Sequence, residues 1–282
     1  MKLRPFLRFP GFRFKALTLS YDDCFVYDIR LKKILDAYNV KCTFNVPSDW
    51  LLDRDEPKRK LMTKQEALDL YSDGKCEVAC HGSRHLPLAE MPFEMGTRDI
   101  ISNRLTLEKM FGGVVKGCAY ARGSVNERAV EILRCCGIEY ARTIDSTGNF
   151  DLPEDWLRWD PTCHHDDPRL MELAEEFAKP YNTKQYVWNK RPELFYLWGH
   201  SYEFNDENNW EVMENFCKAV SGRDHIWYAT NGEIATYVKA YDALRFSADG
   251  NTVQNPTCTD VCISCFENDY FIPAGKTVVL KG

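Results

Sequence analysis

Between about residue 15 and residue 244, apolar positions recur in two alternating rhythms, short continuous runs and helical repeats. Ala16–Ser20 is a run of the kind buried strands show, and Leu31, Ile34, Leu35 and Tyr38 then recur at helical spacing. Lys41–Val46 and Cys76–Cys80 predict further strands. Thr63–Ser72 predicts a helix between them, with Thr63 and Glu66 spaced as a capping box and Gly74 as the stop. Glu94–Phe111 predicts a long helix ended by Gly112–Gly113. Gly117–Tyr120 reads as a strand, and Ser124 with Glu127 as a capping box for a helix that Gly137 closes. Ile138–Thr143, Leu194–Trp198 and Ile226–Ala229 are expected strands, with helices near 168–178, 208–221 and 231–244.

Strand–helix alternation on this scale calls for parallel strands, in an open doubly wound sheet or a closed barrel. Glycine-rich phosphate loops of the two common nucleotide-binding patterns are missing, which removes support for a nucleotide fold. Polar and ionisable residues gather just after the strands, where a barrel places its chemistry. The expectation is therefore α/β: a distorted (β/α) barrel of about seven strands. From Leu244 the pattern changes to turns (Asp249-Gly250-Asn251), breakers (Asn255-Pro256, Pro273-Ala274-Gly275) and short alternating runs ending in Thr277–Leu280. Residues 1–244 are read as the barrel, with 1–14 an N-terminal arm, and 245–282 as a small β appendage packed on it.

Composition narrows the partners. Of 282 residues, 44% are hydrophobic and 28% charged, which excludes a disordered chain. The net charge of −6 argues against a nucleic-acid partner. No apolar run reaches the roughly 18 residues of a membrane helix, so no span is expected and the chain should be soluble. The arm carries Lys2, Arg4, Arg8, Arg13 and Lys15 without an acid, and Pro5, Arg8, Pro10 and Arg13 interrupt every apolar stretch that could serve as a secretory signal. Twelve cysteines without repeating spacing fit free thiols in a reducing compartment, so a cytoplasmic location is expected. Cys258, Cys262 and Cys265 have the C-x3-C-x2-C spacing of some iron–sulfur sites. That reading is set aside, because only short strands follow and no barrel is built after them.

Three strand ends carry candidate chemistry. The first runs into Asp22-Asp23-Cys24; adjacent carboxylates point in different directions, so one can bind a cation while its neighbour stays free as a base. Alone, such a pair is more often a helix N-cap. The third runs into His81-Gly82-Ser83-Arg84-His85, two imidazoles four apart, spaced to chelate one metal from one side of a helical turn. Leu194–Trp198 runs into Gly199-His200. Together they supply a carboxylate and two imidazoles for a metal, a second carboxylate and a separate His, the inventory of metal-assisted hydrolysis.

With these residues in place, the chain resembles the polysaccharide deacetylase family, the NodB-homology fold of carbohydrate esterase family 4. Leu19–Cys24 matches the family's T-F-D-D-G motif, and Ile34-Leu35-Asp36 with Lys41–Phe44 resembles the stretch that follows it. His81 to His85 matches H-[ST]-x-x-H, and Leu197 to His200 matches the fifth motif. The resemblance covers about residues 15–240. It implies a distorted barrel that removes acetyl groups from an acetylated sugar or oligosaccharide, using one divalent metal. Zinc is the first choice, with cobalt, nickel, manganese and iron as substitutes. It also implies Asp23, His81 and His85 as metal ligands, Asp22 as general base and His200 as general acid.

The sequence departs from the family at several points. Cys24 and Gly82 replace the motif Gly and [ST], and the third motif, R-x-P-[FY], is poorly kept in Ala119-Tyr120-Ala121-Arg122-Gly123. Arg122 and Arg142 are both candidates to orient the base. Strand parity favours Arg142, because Tyr140 and Arg142 share one face. Tyr120, Arg122, Trp198 and Tyr202 are candidate substrate contacts, with Trp156 and Trp159 as further aromatic walls, and Glu203, Asn205 and Trp210 follow His200. His164-His165-Asp166-Asp167 is a second concentration of ligand types, read first as a polar helix entry with Asp167 as N-cap and Pro168 opening the helix. Two other readings stay open: an amide hydrolase acting on a non-sugar C–N bond, and a carbohydrate-binding barrel without turnover.

Overall fold

The structure, a computed structural model, describes residues 4–54, 60–180 and 191–280. Lys2 of the basic arm lies outside them. A two-residue strand, β1 (Leu7–Arg8), precedes β2 (Lys15–Asp22), which is buried along its whole length. The parallel sheet continues with β3 (Cys42–Val46), β4 (Cys76–Cys80), β5 (Gly117–Ala119), β6 (Tyr140–Arg142), β7 (Cys163–His164), β8 (Glu193–His200) and β9 (Ile226–Tyr228). Its order is β6-β5-β4-β3-β2-β8-β7. On one side β2 pairs with β8 throughout; on the other, its first half pairs with β9 and its second with β3. The sheet curls into a half-barrel. A parallel bridge from Trp159 to Arg142, followed by β7 on β8, carries the chain from the β6 edge towards the β8 edge. The fold is thus α/β, a distorted (β/α) barrel.

Helices α1 (Asp28–Ala37), α2 (Lys64–Tyr71), α3 (Phe93–Phe111), α4 (Glu127–Cys135), α5 (Leu170–Ala178), α6 (Ser201–Asp206), α7 (Glu211–Val220) and α8 (Asn231–Asp242) connect the strands. The Thr63–Glu66 capping box opens α2 as local spacing predicts. At α4 the expected cap moves: Asn126, not Ser124, accepts from the Ala129 N–H, because the Ser124 hydroxyl already receives the Ala89 N–H. At α5 the helix starts at Leu170, after Pro168, and the Asp167 carboxylate binds Arg169 instead of capping. Strand β6 is also shorter than the apolar run suggested.

The carboxy-terminal residues form two small antiparallel sheets. One joins β10 (Arg245–Phe246), β11 (Thr252–Gln254) and β14 (Thr277–Val279). The other joins β12 (Val261–Cys265) to β13 (Asn268–Ile272) on one edge and to β1 on the other, with Leu7 opposite Ile263. The basic arm is therefore a strand of this sheet. Its cations are spent inside the chain: Arg4 on Asp242, Arg13 on the carbonyls of Pro10 and Asp224, Lys15 on Glu193 and the Phe177 carbonyl. The cysteines are free thiols. Cys262 and Cys265 stand three apart on β12, on opposite faces, and with Cys258 they are not among the convergent ligand groups of the described residues. Among the described residues, no helix is long and apolar enough to cross a membrane.

Candidate active site

Strand register brings the chemistry to one level. Asp22 lies opposite Asn45 on β3 and His200 on β8, and Arg142 ends β6 beside Ala119 on β5. After Asp22 the backbone turns sharply, with positive φ at Asp23 (82°) and Cys24 (51°). Cys24 thus adopts a conformation that glycine favours, at the position where the resembled motif has Gly. The turn sends Asp22 and Asp23 to different partners.

Asp22 is buried, with one oxygen on the Arg142 guanidinium and the other accepting from the Asn45 amide at 2.8 Å. Burial acts to raise its pKa, but Arg142, then His81 and His200, and the Asn45 hydrogen bond overcome it and hold the carboxyl below its ordinary value. Arg142 is itself locked, with Nη1 on the Thr143 carbonyl and its guanidinium 4.2 Å from the Trp198 ring centre.

Asp23 faces the imidazoles. Its Oδ1 stands 3.5 Å from His81 Nε2 and 3.5 Å from His85 Nε2. Asp23 Oδ1 and His81 Nε2 are buried and make no hydrogen bond. His81 Nδ1 meets the Ala119 carbonyl at 2.9 Å, so that nitrogen carries the proton and Nε2 presents its lone pair. His81 and His85 converge through a loop and not through the expected helical turn: Gly82 and His85 have φ of 74° and 55°. A Cβ on Gly82 would come 2.7 Å from the Asp99 carboxylate. Burial, then His81, lowers His85 to about 4, which keeps its ring neutral.

His200 completes the group. Its Nε2 lies 4.0 Å from Asp22 Oδ2 and 3.8 Å from Asp23 Oδ2, while Nδ1 and the backbone N–H hold Glu203 at 3.1 and 2.9 Å. Burial acts to lower its pKa, but the Glu203 hydrogen bond, then Asp22, raise it above its ordinary value.

Other candidates fall unevenly. Tyr202 is half-buried, 5.3 Å from the His200 ring and 4.8 Å from Phe25. Arg122 is exposed on a turn with φ of 58°, away from Asp22's hydrogen bonds. Tyr120 is not placed to touch a substrate: it is 2% exposed and its hydroxyl donates to the Leu157 carbonyl. Trp159 is core. Sequence reasoning missed Asn45 and Asn103, whose carbonyl oxygen receives the His81 N–H. Both left a signal, a polar amide on a buried strand and one on the Ile100–Leu107 stripe of α3.

The donor set suits a divalent cation. Ligands about 2.0–2.1 Å from a tetrahedral ion lie about 3.3–3.4 Å apart. Here, two buried unpartnered atoms and a third from a neutral imidazole stand close to that spacing.

The polysaccharide deacetylase family model matches residues 11–141. A comparison with curated protein sequences finds no match. Among solved structures, a Mycobacterium smegmatis protein assigned to the polysaccharide deacetylases aligns at 16% identity and TM-score 0.55, over 86% of this chain and 96% of that one. A family 4 acetyl xylan esterase from Clostridium thermocellum, solved with cobalt, aligns at 16% identity and TM-score 0.50, over 79% and 91%. A Streptococcus pyogenes deacetylase aligns at 17% and TM-score 0.44, over 50% of this chain; the match spans about three fifths (61%) of that protein. The structural likenesses speak to the fold, and the family match, over residues 11–141, likens that part of the chain to the polysaccharide deacetylases, the NodB-homology family.

Proposed function

We propose that the chain is a divalent-metal-dependent hydrolase that removes acetyl groups from an N- or O-acetylated sugar or oligosaccharide. The observation that carries this reading is the convergence of buried, unpartnered Asp23 Oδ1 and His81 Nε2 with His85, next to a second carboxylate clamped by arginine. Asp23, His81 and His85 would hold the cation. Zinc is favoured by two imidazoles and one carboxylate, and a cation so bound supplies an acidified water and polarises the acetyl carbonyl.

The remaining work falls to this chain's own groups. Asp22 Oδ2 faces His81 and His200 and takes the proton of the attacking water. Arg142 and Asn45 keep that carboxylate ionised and in one rotamer, the task that the eroded third motif no longer performs. His200, protonated because Glu203 and Asp22 favour its cation, donates from Nε2 to the departing amine or alkoxide. Tyr202, half-buried beside the His200 ring, gives a sugar ring aromatic surface, whereas Trp198 is buried behind His200 and stacks on Arg142.

Acetate release from acetylated chitooligosaccharides tests the reading. His85→Ala should abolish release and lower bound zinc by one equivalent per chain. Undiminished release in that variant would overturn the proposal.

A further inference from the structure

Beside His200, on β7, the loop that follows and α6, the chain gathers a second group of ligand types, of which the proposed reaction uses only Glu203, as the partner of His200. We propose that His164, His165, Asp166 and Glu203 form a second divalent-metal site, suited to a borderline cation such as zinc. The inference stands independently of the first site.

His165 is the anchor. Its side chain is 0% exposed, yet Nε2 makes no hydrogen bond, although Asp166 Oδ1 lies 3.1 Å away and Glu203 Oε2 3.3 Å away. A buried ring nitrogen that faces two carboxylate oxygens calls for positive charge between them, supplied by a proton on the ring or by a metal ion. The ring is fixed in that pose. It stacks between Phe204 at 4.1 Å and Tyr21 at 5.8 Å, and Nδ1 meets the Tyr21 hydroxyl at 3.3 Å. An outer hydrogen bond on the second nitrogen is what metal-bound imidazoles generally have. Gly199 keeps the space open, since a Cβ there would lie 2.0 Å from His165 Nδ1.

His164 closes the group. Its Nε2 is 3.3 Å from Glu203 Oε2, and a cation bound there requires the ring proton on Nδ1, in place of the Asp166 N–H that Nδ1 accepts at 3.2 Å. One ligand atom from each of the four residues falls within 4.8 Å of the others. Within one set of ligand atoms, His165 Nε2 to Asp166 Oδ1 (3.1 Å), His165 Nε2 to Glu203 Oε2 (3.3 Å) and His164 Nε2 to Glu203 Oε2 (3.3 Å) approach the roughly 3.3–3.4 Å edges of a tetrahedral zinc site. Two carboxylates and two imidazoles neutralise a divalent charge. Entry is open from solvent: Asp166 is exposed, and His165 and Asp166 border a cavity of about 310 Å³ with Pro168 and Asn209. Glu203 links this site to His200, gripping it at 3.1 Å through its other oxygen.

Metal counting on the whole chain decides. Protein stripped with chelator would be dialysed against zinc chloride, and bound zinc measured by atomic emission. We expect two zinc ions per chain, one remaining in Asp23→Asn, and none in Asp23→Asn combined with Asp166→Asn. Asp166 is exposed, so that variant should fold, and His164→Ala is a second route to the same loss. Cobalt loaded into Asp23→Asn should show the visible absorption of a four-coordinate site. An Asp23→Asn chain that binds no zinc would overturn the proposal, as would zinc in it that survives both Asp166→Asn and His164→Ala. A single zinc in the unaltered chain, lost on Asp166→Asn and kept in Asp23→Asn, would instead refute the first site and uphold this one.

Discussion

The interior of the half-barrel is polar in two places, and the two are built differently. Toward the amino ends of the strands, Glu77 receives the Tyr140 hydroxyl at 2.6 Å, the Thr43 hydroxyl at 2.9 Å and the Gly232 N–H at 2.8 Å. Asn231 extends that network to Thr18, Thr43 and Tyr196. At the carboxyl ends, buried atoms of Asp23, Asn45, His81, Arg142, His165 and Trp198 lack partners. A satisfied network rigidifies a core, whereas an unsatisfied one is tolerated only where something else completes it. The same residue types therefore read as scaffold at one end and as chemistry at the other.

The sharpest test of that division is Asp22→Asn. Acetate release should fall by about 10²–10⁴-fold, the usual worth of a general base, with zinc content unchanged. Retained turnover would break the distinction outright.

Asp28 lies between the two cases. Tyr71 donates to one of its oxygens at 2.7 Å and the other makes no hydrogen bond, and burial pushes its pKa up to about 7. A carboxyl raised on folding contributes stability below its unfolded pKa, near 4, and loses it as pH rises through about 7. Asp28→Asn should therefore gain on the parent between pH 4 and pH 8, by on the order of 4 kcal/mol. Urea unfolding with chelator present, across that range, measures it; a pH-independent difference would place Asp28 with the satisfied group.

Glu77→Gln should cost about 1–3 kcal/mol, because one of three donors loses its acceptor, with turnover per folded molecule unaltered. Arg142→Lys should lower turnover on the order of tenfold while zinc content holds, because ammonium cannot reproduce the planar fork. Steady-state kinetics beside metal analysis checks that smallest effect.

What the sequence disclosed follows the range of the interactions. Thr63 and Glu66 cap a helix within four residues, and their spacing shows it. Tyr140 and Arg142 alternate on β6, so parity alone puts both side chains inside, one on Glu77 and one on Asp22. Ser124 misled because Ala89, remote in sequence, occupies its hydroxyl. His81 and His85 were found by spacing, but the loop that joins them depends on positive φ, which no periodicity encodes. Strand β7 has two residues and no pattern to read. The barrel's regular elements were legible, then, while tertiary partners decided the caps, the loops and which His and Asp meet.

The pairing of Leu7 with Ile263 has a consequence for how the molecule is made. At roughly 5–20 residues per second, a ribosome needs on the order of tens of seconds to reach the second residue after emitting the first. Through that interval the arm's apolar side chains, Leu7 and Phe9, both fully buried at the end, have no sheet to join. The parallel strands between them can pair in the meantime. Joining the arm to β12 then closes a loop that encloses nearly every other element, a contact of high closure entropy that cannot form before β12 has emerged. The arm is in this sense a clasp, whose two halves are made at opposite ends of the chain's synthesis.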